Sequence, residues 1–372
     1  VRETGFVDLG IESYYFYGYI KDDTPSDVIT SFEQILSEAF TDTNIRAEIV
    51  NIKEQKDNPA IRYLESLQID SFPAAVLVSP DGQAIIVPVA EPNRPFVDTL
   101  RGAIGDILSS PKRKEILERA IKNYAVILLI EGEEPQENEK AKTAAYAAIK
   151  SIEAQMEVLP KPIERPPALV VADLKSLADE KILLWSLGLD VSALSGPYIA
   201  VIYGRVRWIG PLFKGEQIAE EYLDRVLFVV GEDCECGLDL RWVQGTMLPV
   251  KWDSGLQAKV AENLGFDPES PMIKMEIASI VSRGIGGTSY PGVPFRYGEA
   301  ASKPQSGRDW QNGAEKIESN AATGSPAGES VVGDSAGGDI CSPLRAMAMV
   351  AVGMAALVII VGIVVLLRPK RI

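Results

Sequence analysis

Along residues 1–230 the hydrophobic positions switch repeatedly between the two-residue period of a strand and the roughly 3.6-residue period of a helix. Tyr14 to Ile20 (YYFYGYI) predicts a strand. From Ser26 to Phe40, Val28, Ile29, Phe32, Ile35, Leu36, Ala39 and Phe40 share one helical face, and Thr24 or Ser26 can cap it. A strand is expected at Ile45 to Ile52 and a helix near Pro59 to Leu67. Ser71-Phe72-Pro73 leads into a strand at Ala74 to Val78. The turn Ser79-Pro80-Asp81-Gly82 then pairs it with a strand at Ala84 to Val89. Pro95 suits the first turn of a helix from Phe96 to Leu108.

The order recurs. Tyr124 to Ile130 (YAVILLI) predicts a strand, Glu137 to Met156 a long helix, Ala168 to Ala172 a strand and Lys175 to Leu187 a helix. Ser195-Gly196-Pro197 leads into strands at Tyr198 to Tyr203 and Val206 to Ile209, and a helix from Glu216 to about Val229 closes the unit. The pattern is β-α-β-α-β-β-α, twice. It resembles the thioredoxin fold, on the residues Ser-Phe-Pro-Ala-Ala-Val-Leu-Val followed by Pro-Asp-Gly, and Ser-Gly-Pro-Tyr-Ile-Ala-Val-Ile. The resemblance implies an α/β fold with two tandem thioredoxin-like domains, at about residues 10–110 and 122–232. It also implies that Pro73 and Pro197 are structural prolines, in the cis form where each opens its strand.

The departure from that family bears on function. Redox-active members carry Cys-x-x-Cys where the first strand meets the first helix. Here those positions read Lys21-Asp22-Asp23-Thr24-Pro25-Ser26 and Glu131-Gly132-Glu133-Glu134-Pro135. Neither holds a cysteine, and the acids would disfavour a thiolate. Both copies resemble the non-catalytic domains of protein disulfide isomerases and calsequestrins, which in those relatives bind peptides, act as spacers or carry diffuse acidic charge.

Beyond the repeats the pattern changes. Residues 300–342 lose apolar periodicity and are dominated by Gly, Ser, Ala and Asn, a composition expected of a flexible linker. Residues 346–367 (AMAMVAVGMAALVIIVGIVVLL) hold no charge and are long enough, at about 1.5 Å per residue, to cross a ~30 Å hydrocarbon core. We read them as a C-terminal transmembrane helix, with the bilayer as one partner. Arg368, Lys370 and Arg371 follow in the basic tail 368–372, while only Arg345 closely precedes the span. The positive-inside bias predicts a single-pass protein with an extracytoplasmic head. That location needs an export signal. Val1-Arg2-Glu3-Thr4-Gly5 is not one, which fits a signal already removed. The rival is a tail-anchored protein with a cytoplasmic head.

Composition narrows the chemistry. With no histidine among 372 residues, His-based nucleophile activation, His-ligated zinc and His-ligated haem are excluded. The net charge of −15 and the lack of a basic stripe before the tail argue against nucleic acid. The acidic excess lies before residue 301 and raises diffuse divalent-cation binding as one alternative, although no EF-hand loop is present. The three cysteines are too few for a disulfide framework. Cys234 and Cys236 flank Glu235, and three readings stay open: a local structural pair, a labile bridge for thiol–disulfide exchange, or two ligands of a shared metal site. Cys341 stands alone.

Residues 233–290 form a Cys-Glu-Cys segment and a helical extension. Asp253 or Ser254 is expected to cap a helix from about Leu256 to Leu264, and Pro271 to begin another. Trp242, Met247 and Trp252 either cover the second core or form a surface for an unidentified protein partner. The function expected is that of a membrane-anchored, redox-inactive scaffold or protein-binding module without a cofactor. The enzyme alternative is an oxidoreductase using Cys234 and Cys236.

Overall fold

The computed structural model describes residues 1–10, 13–158, 165–190, 194–232 and 246–282. Two mixed α/β units follow each other, and each is thioredoxin-like by strand order and connectivity.

The first unit runs β1 (Tyr14–Ile20), α1 (Ser26–Phe40), β2 (Ile45–Asn51), α2 (Arg62–Ser66), β3 (Ala74–Val78), β4 (Ala84–Val87) and α3 (Phe96–Leu108). Its sheet has the order β2-β1-β3-β4. β1 and β2 are parallel; β3 is antiparallel to both β1 and β4. A parallel pair needs a crossover, which α1 supplies. Phe16 and Phe32 meet edge-on at 6.4 Å, and Leu36, Leu77, Leu100 and Ile104 are buried in the core between the sheet, α1 and α3. Gly18 lies under Phe32: a Cβ there would sit 2.7 Å from the ring, so the strand needs glycine at this point. β4 stops two residues short of the predicted Val89. Pro88 has no N–H to continue the ladder. The helix expected near Pro59 begins as a 3-10 turn at Pro59–Ile61 before α2.

The second unit runs α4 (Pro111–Lys122), β5 (Val126–Ile130), α5 (Pro135–Gln155), β6 (Ala168–Ala172), α6 (Lys181–Ser186), β7 (Tyr198–Tyr203), β8 (Arg207–Lys214) and α7 (Glu220–Gly231). Its sheet repeats the first with one strand more, in the order β6-β5-β7-β8-β9, where β9 is Thr246–Met247. Every residue of β5 is fully buried, as expected of a central strand covered on both faces. Helix α4 was not among the elements read from the pattern. Ile116, Leu117, Ala120 and Ile121 give it an apolar stripe, but the first turn is Pro-Lys-Arg-Lys and reads as a polar connection. Ser110 caps it and Pro111 occupies its first turn.

The two units share contacts. Arg113 is buried and donates to the carbonyls of Ile107 and Asp106 at the end of α3, and through Nε to Ser110 Oγ at 2.9 Å. Fully buried Glu180, just before α6, accepts from Ser110 Oγ at 2.5 Å and from the Lys112 amide at 2.7 Å. Trp185 of α6 lies 6.0 Å from the ring of Tyr14 in the first unit. Past the second unit the chain returns to the first: Asn44 donates to the Leu248 carbonyl and accepts from the Val250 amide, both at 3.0 Å. The Trp252 amide donates to the Asp42 carbonyl at 2.7 Å. Helices α8 (Ser254–Leu264) and α9 (Pro271–Ser282) follow, with Asp253 capping α8 and Gly265 ending it in the left-handed conformation. The segment before β1 docks on the second unit, where Arg207 donates to the carbonyls of Gly5 and Val7.

Among the described residues, no helix is long and apolar enough to cross a membrane. The predicted span 346–367 and the linker 300–342 lie outside them.

Candidate functional site

In a thioredoxin-like unit the chemistry is placed where the first strand hands over to the first helix, beside the residue that opens the third strand. In the first unit that turn is closed by Thr24, whose Oγ1 accepts from the Lys21 amide at 2.9 Å. Asp22 accepts from Asn51 at 3.1 Å and pairs with Lys53 at 3.6 Å. The Lys21 ammonium stands 4.2 Å from the centre of the Phe72 ring, and Phe72–Pro73 is a cis peptide. A cation thus lies over an aromatic face where the first strand hands over to the first helix.

The second unit fills the same place with backbone. A Cβ on Gly132 would lie 2.3 Å from the Gly196 carbonyl carbon, so two main chains are in direct contact. Buried Asn138 locks the turn: its Oδ1 accepts from the Gly132 amide and its Nδ2 donates to the Gly132 carbonyl, both at 2.9 Å. Pro197 departs from the expectation. Among the described residues the cis bond is at Phe72–Pro73, and Gly196–Pro197 is not cis. The residue facing this bond differs in kind: Gly132 needs the Gly196 backbone against it, whereas Lys21 meets a side chain.

Carboxylates of Glu131 and Glu139, at 2.8 and 2.9 Å, hold Lys142 protonated above the ordinary lysine range. Burial pushes Tyr17, Tyr19 and Tyr124 upward. Burial pulls Arg113 down to about 10, against the opposing pull of Glu180. Acid–base catalysis needs a group brought close to working pH. These tyrosines and Lys142 move away from it, and Arg113 remains a cation.

The sequence-derived candidates separate. Cys234, Cys236, Trp242, Arg345, Arg368, Lys370 and Arg371 lie outside the described residues. Met247 is 1% exposed and Trp252 fully buried, so neither reaches the surface that partner contact requires. Met247 sits in β9 against β8. Trp252 is enclosed by Phe6, Ile121 and Val260, under the Arg205 guanidinium at 4.8 Å. Met247 thus extends the second sheet, and Trp252 seats the extension in a small cluster of its own.

One surface was missed by pattern reading. On the α2 side of the first sheet, Tyr15 and Tyr17 stack at 5.8 Å and Tyr17 stacks on Tyr63 at 6.0 Å, with the Arg62 guanidinium over Tyr63. Tyr15 is 36% and Ile86 51% exposed. The four tyrosines in YYFYGYI were the available signal; alternate members fall on one face of a strand.

No protein-family model matches the sequence, and no curated protein matches it. Among solved structures, the zinc-bound form of human ERp44 matches at 13% identity and a TM-score of 0.24, over 58% of this chain and 52% of that one. The first two thioredoxin domains of Saccharomyces cerevisiae Eps1p match at 12% and 0.22, over 61% and 96%. The bb fragment of ERp72 matches at 11% and 0.21, over 61% and 91%. The chain spans about half the length of human ERp44.

Proposed function

We propose that this protein is a redox-inactive thioredoxin-like scaffold that holds a protein partner at a membrane surface, anchored by residues 346–367. One observation carries the reading: both positions suited to thiol chemistry are occupied by other contacts, Lys21 on Phe72 and Gly132 on Gly196. Disulfide exchange needs an attacking thiolate, and residues 1–233 contain no cysteine. The uncharged span and the cations after it support the anchor and the extracytoplasmic head.

Two measurements test it. The full chain is expected to show no reduction of insulin above that of its Cys234→Ser, Cys236→Ser variant. Turnover that disappears in this variant would replace the scaffold with an oxidoreductase. Protease added to intact cells is expected to remove the head. A head protected until the membrane is broken would reverse the orientation.

A further inference from the structure

The two units differ in what covers one face of the sheet. Tyr15, Tyr17 and Tyr19 face Val78, Val76 and Ala74 across β1–β3, just as Val126, Leu128 and Ile130 face Ile202, Ala200 and Tyr198 across β5–β7. In the second unit helix α4 lies across β5, β6 and β7, and Val126 and Leu128 are fully buried. In the first unit no described α-helix precedes β1; the segment before it, with a short 3-10 turn at Thr4–Phe6, docks on the second unit instead. The residues have changed with the cover. Ala168 and Val170 of β6 correspond to Arg46 and Glu48 of β2, both exposed. An apolar helix stripe laid here would bury both charges. Stacked tyrosine rings beside charges instead suit an extended, proline-bearing segment: prolines pack on aromatic faces, and a polyproline II backbone leaves its carbonyls free to accept from Tyr hydroxyls.

The chain carries such a segment. Eight residues beyond the end of α9 comes Tyr290-Pro291-Gly292-Val293-Pro294-Phe295-Arg296-Tyr297, with prolines at P-x-x-P spacing. Arg296 is complementary to Glu48. We propose that residues 290–297 dock on the tyrosine face of the first unit of the same chain, with the prolines on Tyr15 and Tyr17 and Arg296 toward Glu48.

The test uses the full chain and tetranitromethane, with nitration of each tyrosine read by peptide mass spectrometry. Tyr146, exposed on α5, is the internal reference. Tyr15 is expected to react slowly in the native chain and several-fold faster in a Pro291→Ala, Pro294→Ala variant, with Tyr146 unchanged. A synthetic peptide of residues 286–300 added to that variant is expected to restore the slow rate. Equal urea midpoints of the two chains separate loss of docking from a folding defect. Equal Tyr15 rates in the two chains overturn the proposal. Protection that grows with protein concentration overturns the same-chain assignment in favour of a second copy.

Discussion

Asn138 is the residue on which the second unit's turn depends, because it satisfies both backbone groups of Gly132 where that glycine meets Gly196. Replacing Asn138 with Ala leaves a buried amide and carbonyl without partners and is expected to cost about 1–3 kcal/mol. Gly132→Ala forces a methyl into the Gly196 backbone and is expected to cost at least as much, in the about 1–3 kcal/mol range of overpacking or above it. Urea denaturation of both variants checks this, and a Gly132→Ala chain as stable as the parent would refute the close approach. Tyrosines give a second residue-scale prediction. Tyr19 and Tyr124 have folded values above the unfolded value of about 10. Their contribution to stability is therefore complete below pH ~10 and is lost as pH rises through the folded values. Arg113, lowered in the fold, acts in the opposite sense over the same range, as do the buried Arg2 and Arg205. Tyr19 and Tyr124 are expected to ionise only as the chain unfolds in alkali, read as tyrosinate absorbance that rises together with loss of the fold.

Elements were legible where one face is buried and the period is unbroken. Helices α1 and α3 and strands β1, β3 and β7 fall on the residues that the pattern names. Helix α4 escaped because its stripe is only four residues set among charges, although Ser110-Pro111 is a start signal. The tyrosine face escaped because its meaning depends on a helix missing from one unit and present in the other. Asn44 could not be found at all: its partners are more than 200 positions away, and no local period records such a contact. The junction between α3, α4 and α6 supplies an element-scale prediction. Glu180→Ala removes the acceptor for Ser110 and Lys112 and leaves the Arg113 cation buried without its counter-charge. The expected loss is about 3–5 kcal/mol, seen as a lowered denaturant midpoint. A loss below about 1 kcal/mol, the scale of an exposed pair, would show the junction to be solvated.

At the scale of the molecule, the described part of residues 1–282 should behave as one cooperative body rather than two beads. The junction at Arg113, the contact of Trp185 with Tyr14 and the return of residues 246–252 to the first unit all cross between the repeats. Calorimetry of the full chain is expected to show a single transition for these repeats. An Asn44→Ala variant should lower that transition without splitting it, and two separate transitions in the parent would contradict the coupling. The return strand has a mechanical consequence. A pull applied to the chain beyond α9 does not reach the second unit alone. It loads α9 and α8, then the seat of Trp252, and with it the Thr43–Lys251 bridge and the hydrogen bonds of Asp42 and Asn44 in the first unit. Tension at the C-terminal end is thus divided between both repeats by a clasp that must be sheared before either can be extended separately.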